Sequence, residues 1–480
     1  MAHAFEQLEK APSSLAFQWI YLTFFAVFQL GSLLCAVATS SNMFIAARAI
    51  AGAGGSGLVS GGFYIISYIT PIKQRPSESH DMVTDLLLLT LSLVYLGLVS
   101  ANFALGTVVG PLIGGAFAEN VSWRWCFYIN LPIGALTAIG LLIFFHPPTR
   151  PIEQEKVLER VKKLDFVGAI IFMAAVIMVL LALQWGGNTY PWKSATIIGL
   201  FCGFGAVLLL FAAWEVWLGD NAMIPPAIMM QRTVLWGALT ISLFNGSAFV
   251  VIYYLPEWFQ VIKDASPVKS GVMNLPLFIS QMIGTLSAGI LSSKIGYCNP
   301  FAIIGGSLIS IATGLESTFK VSTGHAAWIG YQVLNGLGIG MSIQIPVIAI
   351  QPVLSLAQAP VGMAIVIFFQ FFGSSIFLAV AQTSFTNSLI KEIGRHAHGV
   401  SAQALLNAGS AGVRDIVGPE DLPGVLIAYN NAIRTTFYVA LGIAVPGVLT
   451  SLGMEWKNIR NHPTEAAKSE QGGEGLTEAK

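Results

Sequence analysis

The feature that most constrains this chain is the length of its uncharged runs. Between Gln18 and Thr70 the one charged residue is Arg48, and between Leu86 and Phe117 there is none. A water-exposed surface built from such stretches could not stay solvated. A bilayer accepts them, because a helix needs about 20 apolar residues to cross its hydrocarbon. The runs lack the two-residue alternation of a membrane barrel, so the predicted spans are helices. Composition agrees: 55% of the 480 residues are hydrophobic and 10% are Asp, Glu, Lys or Arg, whereas soluble domains carry roughly 25% charged residues. Short polar breaks delimit predicted spans near 18–38, 43–69, 95–118, 127–145, 165–184 and 195–215, then 233–255, 270–291, 299–318, 326–350, 361–385 and 432–454. The fold class predicted is therefore an all-α polytopic membrane protein with twelve spans.

Several function classes find no support in the residues. Twenty-four basic residues balance twenty-four acidic ones, so no charge excess points to nucleic acid as a partner. Cys35, Cys126, Cys202 and Cys298 are scattered without metal or redox spacing. The glycine-rich stretch at 52–57 lacks the Gly-Lys-Ser/Thr of a phosphate loop. His146, His396 and His398 lie in polar breaks with no further ligand converging on them. No catalytic constellation, metal site or cofactor is predicted, and the bilayer is the expected partner. The polar start, MAHAFEQLEKAPSS, has no secretory pattern, so the first span is expected to direct insertion.

Lys and Arg set the orientation, since they gather on the cytoplasmic side. Lys73 and Arg75, the cluster Arg150, Lys156, Arg160, Lys162 and Lys163, Lys294, and Lys457 with Arg460 all fall on one side of twelve alternating spans. Both termini are thus expected in the cytoplasm. Trp and Tyr mark the interface in several breaks on the opposite side, as in ENVSWRW and WGGNTYPWKS. Ser77–Val94 breaks the pattern. Its polar start and Leu-rich run are too short to span, and a tight helix pair there would put the later basic loops outside. It reads as an insert.

The third span carries Gly106-Thr-Val-Val-Gly110-Pro111-Leu-Ile-Gly114-Gly115. Gly106, Gly110 and Gly114 recur every fourth residue, a stripe that lets a neighbouring helix approach closely. Pro111 removes a donor and crowds the carbonyl of Thr107. This run resembles the antiporter motif G-x-x-x-G-P-x-x-G-G of drug-exporting major facilitators. Arg48-Ala-Ile-Ala-Gly52-Ala-Gly54 is similar to the R-x-x-x-G-x-G of that group's fourth helix. Trp123-Arg124-Trp125-Cys126-Phe127-Tyr128-Ile129-Asn130-Leu131-Pro132-Ile133-Gly134 resembles the segment that follows the antiporter helix. With Tyr253-Tyr254-Leu255-Pro256, Ser270-Gly271, Leu275-Pro276 and Met454-Glu455-Trp456-Lys457, the set looks like the fungal fourteen-helix drug:proton antiporters, a group that includes mycotoxin and multidrug exporters. The resemblance runs from about Trp19 to Lys457.

It implies a major facilitator fold. The expected layout is an N-terminal tail (1–17), a truncated N-terminal bundle (18–145, with 77–94 as an insert) and a cytoplasmic linker (146–164). A central helix pair (165–215), a C-terminal six-helix bundle (233–454) and a cytoplasmic tail (455–480) follow. The alignment of motifs leaves the group's first two helices without a counterpart. The resemblance further implies a multi-pass protein of the plasma membrane that exports a small hydrophobic substrate against proton influx, by alternating access. Uptake of a siderophore or sugar, and a non-transporting product, stand as the alternatives.

Candidate site residues follow. Arg48, Gly52, Gly106, Gly110, Pro111, Gly114 and Gly115 are carried by the motifs. Arg48 either faces a cavity, as intramembrane charges do, or snorkels to the interface. Asn245, Gln332, Asn335, Gln344 and Gln370 are amide side chains inside spans, read either as substrate contacts or as polar links between helices. No proton site is evident, since Glu119, Asp165 and Glu257 lie near span ends.

Overall fold

The computed structural model describes residues 14–69, 106, 109–110, 112–144, 165–355, 358–397 and 399–458. The predicted insert at 77–94, Pro111, and the linker from Pro147 to Leu164 lie outside the described residues. Nine helical segments among the described residues, from Gln18–Ala36 to Leu422–Ser451, are long and apolar enough to cross a membrane by length and composition. Helices Ser41–Ile69 and Asn299–Glu316 cover two further predicted spans. Of the predicted span 95–118, residues 106, 109–110 and 112–118 are described and helical. The chain divides into two compact units, Met1–Asp165 and Phe166–Lys480.

In the first unit, α1 (Ser14–Ala36) and α2 (Ser41–Ile69) are joined by a four-residue turn and precede α3 (Trp125–Tyr128) and α4 (Asn130–Phe144). Glycines decide how α1 meets α2. A Cβ at Gly31 would strike the Ala51 backbone, one at Gly54 the Phe28 backbone, and one at Gly57 the Phe24 ring. The partners run in opposite order along the two helices, so the pair is antiparallel. Side-chain amides tie α1 to α4: Gln18 Nε2 donates to the Leu141 carbonyl at 3.0 Å and Gln29 Nε2 to that of Asn130 at 2.9 Å. Asn130 Nδ2 returns a bond to Ser32 Oγ at 3.3 Å.

The second unit begins with α5 (Phe166–Trp185), α6 (Ala195–Leu218), α7 (Pro226–Met229) and α8 (Arg232–Lys263). It continues with α9 (Pro267–Met273), α10 (Leu275–Ile295), α11 (Asn299–Glu316), α12 (His325–Ser342) and α13 (Ile345–Ile350), and ends with α14 (Ala359–His396), α15 (Ala402–Ile416) and α16 (Leu422–Ser451). Its centre is where α8, α14 and α16 pack on one another. Tyr254, Trp258, Phe244, Phe259 and Phe437 are fully buried there. The Tyr254 ring lies 5.3 Å from that of Phe385, which lies 5.7 Å from that of Tyr429. Helix α12 is held between α10 and α11. Here a Cβ at Gly336 or Gly340 would run into the α10 backbone at Leu277 and Gln281, and one at Gly338 into Gly305 of α11.

Three departures from the predicted spans have local causes. The span predicted at 326–350 is two helices, because Pro346 lacks an amide hydrogen and its ring crowds the carbonyl of Ser342. Helices α8 and α14 run 32 and 38 residues, beyond the apolar stretches read from sequence. Their polar ends, with Lys263 on α8 and Lys391, Glu392 and Arg395 on α14, continue the backbone ladder past the hydrocarbon. Of the central pair, α5 also packs against α14. Phe172 stands 5.2 and 5.4 Å from the rings of Phe368 and Phe372, and Thr383 Oγ1 donates to the Leu183 carbonyl at 2.6 Å.

Candidate functional site

In the first unit the motif residues gather around the turn between α1 and α2. Arg124 Nη2 donates to the Ala38 carbonyl at 3.0 Å, beyond the end of α1, and its guanidinium lies 4.6 Å from the Trp123 ring centroid. Phe44 packs edge-on against Trp123 and Phe127, each at 5.5 Å. Arg48 is exposed on α2, with its guanidinium 5.9 Å from the Phe127 centroid. A cation over an aromatic face is a favourable place for an Arg that must remain charged. Gly52 is exposed, with nothing within 4 Å of a Cβ built on it. The same holds at Gly106 and Gly110 among the described residues, while Gly114 meets Cys126 Sγ at 4.0 Å. Gly115 lies in the helical stretch 112–120. Among the described residues of this unit, close approach of helix backbones and rings is found at Gly31, Gly54 and Gly57.

In the second unit the five amide candidates separate into three settings. Asn245, 3% exposed on α8, donates through Nδ2 to Ser374 Oγ at 2.6 Å and to the Gln370 carbonyl at 3.3 Å on α14. That is a link between helices, and Gln370 takes part through its backbone. Gln344 is half-buried and precedes α13, its carbonyl accepting from the Ile348 amide at 3.2 Å. Gln332 and Asn335, both 0% exposed, lie three residues apart on α12, and Asn335 meets the fully buried carboxylate of Glu316 at the end of α11. Asn335 Nδ2 donates to both Glu316 oxygens at 3.0 Å.

Glu316 is the residue the sequence reading passed over. The signal was present, since it is the single charge between Asn299 and Phe319. What hid it was its place at the span's edge, where an acid ordinarily reaches water.

Around the aromatic centre, polar tips are paired across helices. Tyr254 Oη donates to Gln382 Oε1 at 2.7 Å, and Trp258 Nε1 donates to Asn430 Oδ1 at 2.9 Å. Glu257 lies a turn beyond Tyr253, half-buried on α8. No group of three or more His, Cys, Asp or Glu among the described residues could hold a metal.

A long apolar helix array with sparse, paired polar groups suits a conduit for apolar solutes, and comparison with known proteins decides which. A model of the family described as fungal trichothecene efflux pump (TRI12) matches residues 72–418. This chain belongs to that family. Known relatives match most of the chain. An MFS-type efflux pump of Arthroderma benhamiae is 39% identical over 451 residues, covering 94% of this chain and 81% of that protein. The MFS-type transporter pigP of Monascus ruber is 43% identical over 459 residues, covering 95% and 77%. Among solved structures, a bacterial homologue of the human lysosomal transporter Spinster, inward-facing and unoccupied, superposes with a TM-score of 0.55 at 12% identity, covering 95% of this chain and 90% of that one. That likeness concerns the fold. The chain is a multi-pass membrane transporter with the major facilitator fold.

Proposed function

We propose that this protein exports a small hydrophobic metabolite or toxin across the plasma membrane in exchange for protons, by alternating access. The observation that carries the reading is its membership of a family described by trichothecene efflux, with a relative named for efflux at 39% identity over 94% of the chain. The predominance of apolar and aromatic side chains in the helices supports a hydrophobic substrate. Arg48 and the Gly106–Gly115 motif are the residues proposed to govern the transport cycle. The basic cluster at Arg150–Lys163 supports cytoplasmic termini and a cytoplasmic linker.

The test is accumulation of tritiated deoxynivalenol, a trichothecene, in pump-deficient yeast expressing the full chain. Expressing cells should hold less label than vector controls, and a protonophore should abolish the difference. Equal accumulation with and without the protein refutes the export reading. Thiol labelling of a cysteine placed in 147–164 should succeed only in permeabilised cells, and labelling of intact cells refutes the orientation.

A further inference from the structure

The carboxylate of Glu316 is 0% exposed, at the last residue of α11. Its side chain's partner is one amide, Asn335 Nδ2. Burial opposes the charged form there, and so does the negative end of the α11 dipole. The cations nearby are engaged elsewhere. Arg434 of α16 donates through Nε to the Ser317 carbonyl at 2.7 Å and through Nη2 to Tyr438 Oη at 3.2 Å. Lys263 of α8 donates to the Val321 carbonyl at 2.8 Å, and Lys320 is exposed. Tyr331 of α12 stacks on Phe319, with centroids 5.8 Å apart. Glu257 of α8 and His325, the first residue of α12, are further titratable groups on the neighbouring helices.

The amide beside Glu316 is unsatisfied in a telling way: among the described residues, Asn335 Oδ1 is buried without a hydrogen-bond partner. An Asn amide offers two donors to a carboxylate or, turned by half a revolution, an acceptor to a carboxylic acid. Asn335 can therefore serve either protonation state of Glu316. A purely structural link would have no use for this spare capacity, since buried polar atoms are ordinarily paired.

We propose that Glu316 and Asn335 form a buried proton-binding site between α11 and α12. The site takes one proton onto the Glu316 carboxylate, passing from charged to neutral, and later releases it as the same proton. This inference rests on the proton-coupled export proposed above and assigns the coupling proton a residue. Helix α12 is suited to pass on the change, because Gly336, Gly338 and Gly340, just after Asn335, hold it against the α10 and α11 backbones.

Two measurements on the full chain in lipid test it. The first needs no substrate: infrared difference spectra between acidic and alkaline buffer. A protonated-carboxyl band should appear in acid, vanish in Glu316→Gln, and shift in Asn335→Leu, where the amide partner is gone. A spectrum of Glu316→Gln identical to the unmodified protein overturns the site. The second compares gradient-driven uptake of tritiated deoxynivalenol into proteoliposomes with its counterflow exchange. Glu316→Gln should lose the gradient-driven mode and keep exchange, whereas Glu316→Asp should stay coupled with a displaced pH profile. Gradient-driven transport that survives in Glu316→Gln overturns the inference alone. An unmodified protein that exchanges substrate yet ignores the proton gradient refutes the proposed coupling, and the site with it.

Discussion

Replacing Gly338 by alanine places a methyl group where α12 meets α11. The Cβ would lie 2.7 Å from the Gly305 carbonyl oxygen and 2.7 Å from the Ile309 amide nitrogen. Both obstacles are backbone, so no rotamer change can relieve them. Ordinary contact begins at 3.4 Å, which leaves each contact 0.7 Å short (3.4 against 2.7 Å). The two helices must separate, or α12 must shift along its seam with α10. Overpacking of this kind costs about 1–3 kcal/mol. Against it stands the gain of about 1 kcal/mol that alanine brings over glycine within a helix. Gly330, on the same helix, isolates the packing contribution, because nothing lies within 4 Å of a Cβ there. Gly330→Ala should therefore stabilise by about 1 kcal/mol, and the two variants should differ by the full ~1–3 kcal/mol of overpacking. Thermal unfolding in detergent can be followed by thiol labelling of Cys298, which is 1% exposed, in a background where exposed Cys202 is serine. Gly338→Ala should expose Cys298 at a lower temperature than the parent, and Gly330→Ala at a higher one. If both variants raise the midpoint equally, the seam does not set the separation of α11 and α12.

Three further outcomes are expected. Asn245→Ala and Ser374→Ala should show a coupling of about 0.6 kcal/mol, and no more than ~1.7 kcal/mol, in an unfolding double-mutant cycle. Loss of transport by Asn245→Ala at unchanged stability would instead make Asn245 a substrate ligand. Arg48→Ala should abolish export while membrane expression stays near normal, and a fully active variant would show that Arg48 only anchors α2 at the interface. Gly110→Leu should insert and fold, since no described atom lies within 4 Å of its Cβ site, yet lose export. Pro111→Ala should alter export more mildly, and unmodified efflux rates in both would reduce the motif to packing.

Helices were legible along the chain because hydrocarbon leaves the backbone no other way to satisfy its amides and carbonyls. The run from Phe166 to Trp185 has a mean hydropathy of 3.0, and no environment short of a membrane would make such a segment anything but buried helix. Local stops were partly legible too. Pro346 splits the predicted span 326–350, and a proline in a span always threatens the bond to the carbonyl four residues earlier. The family resemblance was carried by short motifs, although Arg124 and Asn130 within them bind the Ala38 carbonyl and the Ser32 hydroxyl, partners far away in the chain.

What the sequence could not rank was which small or polar residue meets which neighbour. Gly330 and Gly338 are alike in sequence and sit on one helix. One faces open space and the other the α11 backbone, because the rotation of α12 is set by two partners at once. Among the described residues, the tight contacts fall at Gly31, Gly54, Gly336 and Gly340. Glu316 shows the same limit for charge. At the edge of its span it could as well have pointed to water. Only the packing of α12 across it, with Asn335 nineteen residues away in the chain, turns an end-of-helix acid into a buried one. Propensity and hydropathy act over a few neighbouring residues, whereas the environment of a side chain in a helix array is decided by residues the chain brings back from afar.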